Sequence, residues 1–301
     1  MADQQGIEEI RARLSNIRSV EPILGAMRTI ALGSWQAALN RIGQIGRYSQ
    51  GLTALFSVLT PLVPLSQGRP RRKDDPPPPA PTLVLVIGSE RGLCGAFNST
   101  LLRFAEKVLE QHEAQGIEVE LAALGSRAIR ALERQGREII WSRPLPMTTL
   151  PSSELANELT RGWLERYEKH ELDAVELIYN AYRGSALYEP TAARLIPPPR
   201  SPSSANEASW PPPYIDTEPM ALYVRLVMTW TTTEVYRILL DSAAAEHSAR
   251  FQLMEGATQN SNRLINELTL ALQNARQHAI TSEMQELAAG AGLLGEQETS
   301  S

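Results

Sequence analysis

The strongest constraint on the fold is the absence of proline after Pro219. Residues 220–301 contain none, and Gly256 is the only glycine from Met220 to Ala289. Because proline and glycine are the residues that most often interrupt helices, this stretch can form one continuous helix. Such a helix would be several times longer than the roughly 10–14 residues that are usual in globular proteins. The C-terminal region, 220–301, is therefore predicted to be a single very long helix.

The N-terminal region, 1–60, carries apolar or small residues at alternating spacings of three and four, as does the second half of the C-terminal region. This pattern is typical of helices that pack along one side of a partner helix. Neither helix can bury its apolar side alone, so the two are predicted to pair as an antiparallel coiled coil. Pro22 predicts a kink or a restart in the first helix. We call the patterned positions the seam residues: Leu14, Ile17, Val20, Leu24, Met27, Ala31, Trp35, Ala38, Ile42, Ile45, Leu52, Phe56 and Leu59, then Met254, Ala257, Ser261, Leu264, Leu268, Ala271, Ala275 and Ala279.

Proline also indicates where the chain divides. Of the 21 prolines, 8 lie in residues 61–81 and 8 more in residues 197–219. Proline runs neither propagate a helix nor donate to a sheet, so we interpret 61–81 as a semi-rigid connector and 197–219 as a surface insertion. The predicted division is thus an N-terminal helix, 1–60, a connector, an α/β domain, 82–196, an insertion, and the C-terminal helix.

The middle region, 82–196, alternates strand-like and helix-like segments, which is typical of an α/β domain. The predicted strands are 82–87, 117–124, 138–141 and 174–179, and the predicted helices are 98–113, 126–135 and 152–167. Strands that alternate with helices favour right-handed crossovers and parallel pairing. The predicted fold class is α/β: a small Rossmann-like, mainly parallel α/β domain with long N- and C-terminal helices that form an antiparallel coiled coil.

Composition excludes several classes of protein. The 29 basic and 34 acidic residues give a net charge of −5, which argues against a nucleic-acid-binding protein because such proteins need a concentrated positive surface. Cys94 is the only cysteine, so an internal disulfide and a cysteine-rich metal site are both excluded. No signal peptide is recognisable at the N-terminus, and no apolar run approaches the roughly 20 residues that a membrane-spanning helix needs.

A search for chemistry finds one glycine-rich turn, Gly88–Asn98 (GSERGLCGAFN), after the first predicted strand. Its glycines do not have the dinucleotide-binding spacing, and no Lys-Ser/Thr pair follows as in a P-loop. We interpret it as a tight structural turn with close helix packing rather than a nucleotide site. The four histidines are scattered, and Cys94 has no recognisable base. Glu246 and Arg250, spaced i,i+4, are read as a solvated ion pair. No catalytic, cofactor-binding or metal-binding residue is predicted.

Three stretches together resemble the gamma subunit of F-type ATP synthases, the central rotor shaft. The first is Ile10–Ala31, with its Ala-Met pair, and the second is the turn IGSERGLCGAFN. The third, which is the most specific, begins at Ala245. Its residues on family-typical positions are Glu246, Arg250, Met254, Ala257, Thr258, Asn274, Arg276, Gln277, Ile280, Thr281, Glu283, Glu286 and Gly290. The resemblance covers nearly the whole chain.

The resemblance implies a non-catalytic subunit that couples proton- or sodium-driven rotation of a membrane ring to conformational cycling of the β catalytic sites. The implied partners are the α and β subunits of the catalytic hexamer, the epsilon subunit and the membrane c-ring, with one copy of this chain per complex. The implied location is peripheral, on the cytoplasmic face of the cell inner membrane. No cofactor is implied.

The resemblance also implies roles for particular residues. The implied contacts between rotor and stator are Met27, Arg28, Arg276, Gln277, Thr281 and Glu283. The implied residues of the shaft helix pair are Glu246, Arg250 and Met254. The implied low-friction tip of the shaft, apolar and without directional hydrogen bonds, consists of Leu287, Ala288, Ala289, Leu293 and Leu294. Ordinary coiled-coil surface or a frayed terminus is the alternative for each set.

Three other interpretations stay open at this point. A divergent paralogue could serve a second, ATP-hydrolysing complex of the same class. A free-standing Rossmann-type enzyme would need a nucleotide fingerprint that Gly88–Gly95 does not supply. A coiled-coil scaffold without rotation would not require the polar pattern of the C-terminal stretch. The driving ion and the direction of turnover are not encoded in this chain.

Overall fold

The computed structural model of the chain describes residues 2–63, 80–198 and 215–296, and for residues 2–4 and 290–296 it describes the backbone only. The helices are α1 (Ala2–Leu59), α2 (Phe97–Ala114), α3 (Ser126–Arg134), α4 (Ser153–Glu168) and α5 (Pro219–Glu296). The strands are β1 (Thr82–Ile87), β2 (Val119–Leu124), β3 (Trp141–Arg143), β4 (Ala174–Gly184) and β5 (Leu187–Ile196), and a short 3-10 turn, Thr60–Leu62, follows α1.

The five strands form one sheet in the order β3-β2-β1-β4-β5, so the first strand of the chain is central. The pairs β1–β2, β1–β4 and β2–β3 are parallel, and β5 runs antiparallel to β4 at one edge. The predicted fold class, a mainly parallel α/β domain with long terminal helices, is therefore confirmed. The prediction missed β5, whose Pro190 is tolerated because an edge strand needs only half of its ladder hydrogen bonds.

The chain divides into two compact units. The first unit comprises Met1–Ile30 and Gln252–Ser301, and the second comprises Ala31–Phe251. In the first unit, the start of α1 and the second half of α5 run antiparallel: Arg28 pairs with Glu255 at 2.9 Å, and Ile17 shares a groove with Leu264. Antiparallel pairing of the two terminal helices is thus observed in this unit.

In the second unit, the rest of α1 runs antiparallel to the first half of α5. Trp35 stacks near Phe251 with ring centroids 5.8 Å apart, whereas Phe56 meets Trp230 edge-on at 5.7 Å. The indole N–H of Trp230 donates a hydrogen bond to the hydroxyl oxygen of Thr53 at 3.1 Å. Phe56 and Trp230 belong to the apolar core that the two helices share with β1, β4 and α4 of the α/β domain.

The seam residues are buried or half-buried with one exception. Val20 is 47% exposed, so its placement in the seam was wrong. The predicted restart at Pro22 is not found, because α1 continues through it as one helix. Pro22 removes a single backbone donor on an exposed face, where the unpaired carbonyl one turn back can be hydrated, so the helix tolerates it.

Strand β1 lies between two apolar layers, which explains why it consists only of apolar residues after Thr82. Leu83, Leu85 and Ile87 face the layer that includes α4 and the neighbouring parts of α1 and α5. Val84 and Val86 face the layer that includes α2 and α3. Because side chains alternate across a strand, a central parallel strand must be apolar on both faces.

At Gly88, directly after β1, the backbone lies close to the first turn of α3. A Cβ placed on Gly88 would lie 2.6 Å from the Cβ of Ala128 and 3.2 Å from its backbone nitrogen. Gly125, between β2 and α3, has φ +86° and would place a Cβ 2.5 Å from the carbonyl oxygen of Gly88. Both positions therefore require glycine, as the interpretation of a turn with close helix packing predicted.

We expect Gly88→Ala to destabilise the protein by about 1–3 kcal/mol, because the added methyl group overpacks against the first turn of α3. Gly162 on the exposed side of α4 has open space at its Cβ position, and Gly162→Ala is expected to stabilise by about 0.5–1 kcal/mol. Urea unfolding of both full-length variants measures the two free energies. Equal effects from the two substitutions would disprove the close packing at Gly88.

Candidate functional site

The turn between β1 and α2 is held by its own side chains. The hydroxyl of Ser89 donates to the carbonyl oxygen of Arg91 at 2.7 Å, and the amide Nδ2 of Asn98 donates to the hydroxyl of Ser89 at 2.7 Å. The backbone N–H of Ser89 donates in turn to Oδ1 of Asn98 at 3.0 Å. Leu93 and Gly95 adopt left-handed backbone angles, φ 60° and 61°. The turn thus projects the carbonyl oxygens of Arg91 and Gly92 toward a neighbouring element.

That neighbouring element is α5, which binds the turn through Arg250. The guanidinium Nη2 donates to the carbonyl oxygens of Arg91 and Gly92 at 3.2 and 3.4 Å. The same nitrogen donates to Oε1 of Glu246 at 2.6 Å. The Arg250 and Glu246 side chains are only 8% and 12% exposed. We call this arrangement the clasp: Glu246, Arg250 and the carbonyl groups of Arg91 and Gly92.

The burial of the clasp corrects the interpretation of Glu246 and Arg250 as a solvated ion pair. Spacing i,i+4 on a helix places two side chains on one face, but it does not reveal whether that face is covered. Here Ala245 on α5 packs with Cys94 and Phe97 from the turn. Covering this face removes water from the ion pair, so its members depend on each other and on the carbonyl groups of the turn.

Burial shapes the protonation of the groups around the clasp. Desolvation raises the pKa of Glu246, an effect that the positive charge and hydrogen bond of Arg250 oppose. Burial, assisted by the charge of Arg250, lowers the pKa of His247 to about 4. His247 is therefore neutral near pH 7 and can accept a hydrogen bond at Nδ1, which lies 3.2 Å from Nη1 of Arg250.

A second carboxylate, Glu90, fastens the turn to the rest of the domain. It accepts hydrogen bonds from the backbone N–H and the hydroxyl of Ser126, at 3.0 and 2.6 Å, and from the backbone N–H of Leu145 at 2.9 Å. Burial acts to raise the pKa of Glu90, but these bonds and the charge of Arg130 outweigh it and lower the pKa. The negative charge of Glu90 thus stabilises the N-terminal end of α3, which carries a partial positive charge.

In open α/β sheets, ligands bind at the carboxyl ends of the strands where the strand order reverses. Here that edge, between β1 and β4, is covered by the turn and by α5. The cavity that remains beside Glu90, Glu246 and Arg250 measures about 30 Å³, which is room for one water molecule. Small-molecule sites measure about 300–1,000 Å³. The chain's own side chains therefore fill the position where a Rossmann-type enzyme holds its cofactor.

Cys94 is part of this packing. Its thiol is buried within the turn, 3.4 Å from Nδ2 of Asn98, and burial raises its pKa. A thiol with a raised pKa is a poor nucleophile because the thiolate is the reactive form.

The structure places the predicted rotor–stator residues in two environments. Arg276, Gln277, Thr281 and Glu283 are exposed on the second half of α5, and the Thr281 hydroxyl donates to the backbone carbonyl of Gln277 at 2.8 Å. Met27 and Arg28 are half-buried on α1. Arg28 is paired with Glu255. The pKa of the Glu255 carboxyl is lowered mainly by a hydrogen bond from Gln259 and further by Arg28. The roles that the resemblance implies for these residues stay predictions.

The predicted shaft pair and the predicted tip also differ from each other. Met254 is 2% exposed, in the seam of the first unit. Leu287, Ala288 and Ala289 are exposed, and Leu287 is 68% exposed. The side chains of Leu293 and Leu294 lie outside the described residues. Exposed apolar residues in series are characteristic of surfaces that a partner covers.

Sequence reasoning missed the polar contacts that hold the turn. The Ser89–Asn98 bonds span nine residues and have a recognisable local signal, because both side chains lie in the turn motif itself. Glu90 contacts groups 36 and 55 residues away, and nothing in the linear pattern indicates those partners. Long-range polar contacts of this kind arise from the tertiary fold.

These features together define a class: a long two-helix element joined to an α/β domain whose cofactor position is filled by its own helix. A family model described as ATP synthase matches residues 6–294. The chain is 30% identical to the ATP synthase gamma chain of Chlorobaculum parvum, over 96% of this chain and 98% of the relative. It is 28% identical to the ATP synthase gamma chain of Glaesserella parasuis, over 96% and 99%. The chain belongs to the ATP synthase gamma family.

Solved structures agree at the level of the fold. The chain is similar to a chain of the Euglena gracilis mitochondrial ATP synthase, described as OSCP/F1/c-ring, with a TM-score of 0.64, 15% identity, and coverage of 98% of this chain and 96% of that one. A Tetrahymena thermophila central stalk/c-ring structure matches with a TM-score of 0.54 at 21% identity, over 78% and 99%.

Family membership confirms the predicted recognition and the prediction that the chain is a non-catalytic subunit of an ATP synthase complex rather than an enzyme by itself. It also makes the chain a peripheral subunit of a membrane complex. Among the described residues, no helix combines the length and the apolar character needed to cross a membrane.

We expect Arg250→Met to destabilise the full chain by about 3–5 kcal/mol, because it leaves the Glu246 carboxylate buried without its counter-charge. Arg13 and Glu9 have the same i,i+4 order but are 68% and 66% exposed. Arg13→Met is therefore the matched control and is expected to cost less than about 0.5 kcal/mol. Urea unfolding measures both. Similar small losses in the two variants would show that the clasp is as weak as a surface ion pair.

Proposed function

We propose that this chain is the central-stalk rotor subunit of an F-type ATP synthase. In this role it couples rotation of an ion-driven membrane ring to conformational cycling of the β catalytic sites and performs no catalysis itself. The observation that carries the proposal is the family match over residues 6–294, because it includes both long helices as well as the α/β domain. The filled cofactor position supports the same conclusion, since a mechanical subunit needs no ligand there.

The proposal includes the partners of this subunit. They are the α and β subunits of the catalytic hexamer, the epsilon subunit and the membrane c-ring, with one chain of this kind per complex. The titles of the similar structures name F1, a central stalk and a c-ring. The proposed location is the cytoplasmic face of the inner membrane. We further propose the functional division 1–60, 61–81, 82–196, 197–219 and 220–301, in which the first and last segments form the shaft.

A rotor can shift the affinity of a catalytic site only if it makes unequal contacts with different conformations of that site. The shaft consists of two helices with different sequences, so its sides differ. One side presents the exposed Arg276, Gln277, Thr281 and Glu283 of α5. We assign these residues, with Met27 and Arg28 of α1, to contacts between rotor and stator. A charged or amide side chain that meets one β conformation and not the others supplies the required difference in free energy.

The end of the shaft has the opposite chemistry. Leu287, Ala288 and Ala289 are apolar and exposed, and the same composition continues to Leu293 and Leu294. We assign these five residues to the tip that turns within an apolar sleeve of the hexamer. Apolar contacts are non-directional, so rotation of such a tip breaks no hydrogen bonds.

The clasp has a mechanical role in this proposal. Torque that enters through the α/β domain must reach α5, and Arg250 joins the two through hydrogen bonds to the backbone carbonyls of Arg91 and Gly92, while Glu246 on α5 itself holds the guanidinium in place. Backbone carbonyls do not change rotamer, and buried ion pairs are costly to separate. The shaft helix residues Glu246 and Arg250 are therefore assigned to the joint that transmits torque, and Met254 is assigned to the packing of the helix pair.

The function is tested by co-expression with the α and β subunits of the same organism. We expect one copy of this chain to elute with the hexamer on gel filtration, and ATPase activity of the purified complex to depend on its presence. The α and β subunits expressed without this chain are the control. A chain that elutes alone and leaves ATPase activity unchanged would refute the proposal.

The contact residues are tested by Arg276→Ala combined with Gln277→Ala. We expect coupled ATP synthesis in membrane vesicles to fall several-fold with assembly intact, because both side chains are exposed and contribute nothing to the core. The matched control is Asn262→Ala combined with Arg263→Ala, an equally exposed neighbouring pair on α5, which is expected to leave synthesis unchanged. Unchanged synthesis in the first variant, or equal losses in both, would contradict the assignment.

A further inference from the structure

Helix α3 presents an arginine-rich face that the proposed function does not use. Arg127, Arg130 and Arg134 are all exposed, and their spacing of three and four places them on one side of a nine-residue helix. A groove of about 340 Å³ lies among them and Glu133. The Arg127 guanidinium extends the positive surface to the turn after β1, because its Nη2 would lie 2.9 Å from a Cβ on Gly92. We call these three residues the α3 arginine face.

The charges of the α3 arginine face are only partly offset by the domain, through Glu133 in the groove and the Glu90 carboxylate, on which Arg130 acts. Among the residues that the structure describes, none of the three forms an ion pair, whereas the nearby Arg137 and Arg143 are paired with Glu113 and Glu158. Arg130 and Arg134 donate to the backbone carbonyls of Ser126 and Arg130, and both bonds use Nε only. The two terminal amino groups of each guanidinium, which bind carboxylates as a fork, remain available.

The stability of α3 accounts for Arg134, whose cation in the last turn suits the helix dipole, but not for the grouping of all three arginines. A cation in the first turn of a helix, as at Arg127, opposes the helix dipole, and like charges three and four residues apart repel each other. Exposed arginines that cost a helix some stability need another reason to be grouped, and an external ligand of opposite charge is a direct one.

The geometry points to the α3 arginine face as the docking surface for an acidic segment of another subunit of the complex, with Asp or Glu side chains entering the groove. The inference rests on the proposed function, because that function places the chain among other subunits. Guanidinium forks around a concave groove match carboxylates bidentately. A nucleic acid is disfavoured by the net charge of −5 and by the short extent of the face, about 10 Å. Binding to a flat anionic membrane would contribute only about 1 kcal/mol of binding free energy per arginine.

The test uses the low lysine content of this chain, which has only Lys73, Lys107 and Lys169. Arg130→Lys combined with Arg134→Lys keeps the positive charge and introduces primary amines, which a carbodiimide joins to carboxylates in direct contact. The variant is expressed in the assembled complex, crosslinked, and mapped by mass spectrometry. We expect crosslinks from positions 130 and 134 to Asp or Glu residues of a different subunit. The yield should fall at about 1 M salt, where the Debye length is about 3 Å.

The matched control is Arg103→Lys on the exposed side of α2, next to the native Lys107. It is expected to give several-fold fewer crosslinks to other subunits. Crosslinks at 130 and 134 no more frequent than at 103 and 107, in a complex that contains the chain, would overturn this inference and leave the proposed function intact. Absence of the chain from the complex would overturn both.

A membrane surface is distinguished by sedimentation with vesicles that contain an anionic phospholipid. We expect the isolated full chain to remain in the supernatant. Sedimentation that is lost in Arg130→Gln combined with Arg134→Gln would assign the α3 arginine face to lipid headgroups and overturn the assignment to a protein partner.

Discussion

The buried contact between Arg250 and the turn after β1 is the interaction on which the rest of the structure depends. One guanidinium nitrogen lies within hydrogen-bonding distance of two backbone carbonyls and the Glu246 carboxylate. An unpaired charge at this depth would be strongly unfavourable, so each member of the clasp requires the others. The hydrogen bonds of the clasp therefore fix where α5 lies on the turn after β1.

This placement of α5 also explains why an α/β fold of Rossmann type serves without a cofactor. The carboxyl edge of β1 is the usual ligand position in such sheets. Here Gly88 allows α3 to approach, Glu90 binds the start of that helix, and Ala245 and Arg250 of α5 cover the turn. A cavity the size of one water molecule remains. The edge of the sheet that would bind a ligand in other proteins of this fold instead binds α5, so the α/β domain attaches to the long helix at this edge.

Much of the fold could be predicted from the sequence because its signals are local. The strands β1, β2 and β4 and the helices α2 to α4 carry apolar periodicity and glycine or proline boundaries, and their bounds agree with prediction within two residues, except that β4 continues five residues further. The edge strand β5 was missed because Glu189, Pro190 and Arg194 interrupt its apolar pattern. Pro22 was predicted to disturb α1, yet the helix continues, since packing along the whole helix outweighs one lost hydrogen bond. Rules based on single residues fail where packing along a whole helix determines whether the helix continues.

The amino-acid sequence by itself determined the long terminal helices, the α/β class of the middle region and the family, because each depends on residue type and spacing along the chain. Only the tertiary structure decided that Glu246 and Arg250 are buried, that Glu90 reaches Ser126 and Leu145, and that the cofactor position is filled. Helical spacing states which side chains share a face but not what covers it. Which segment covers a face depends on parts of the chain that are distant in sequence. Here the turn after β1 covers Glu246 and Arg250, and their burial makes them part of the contact between α5 and that turn.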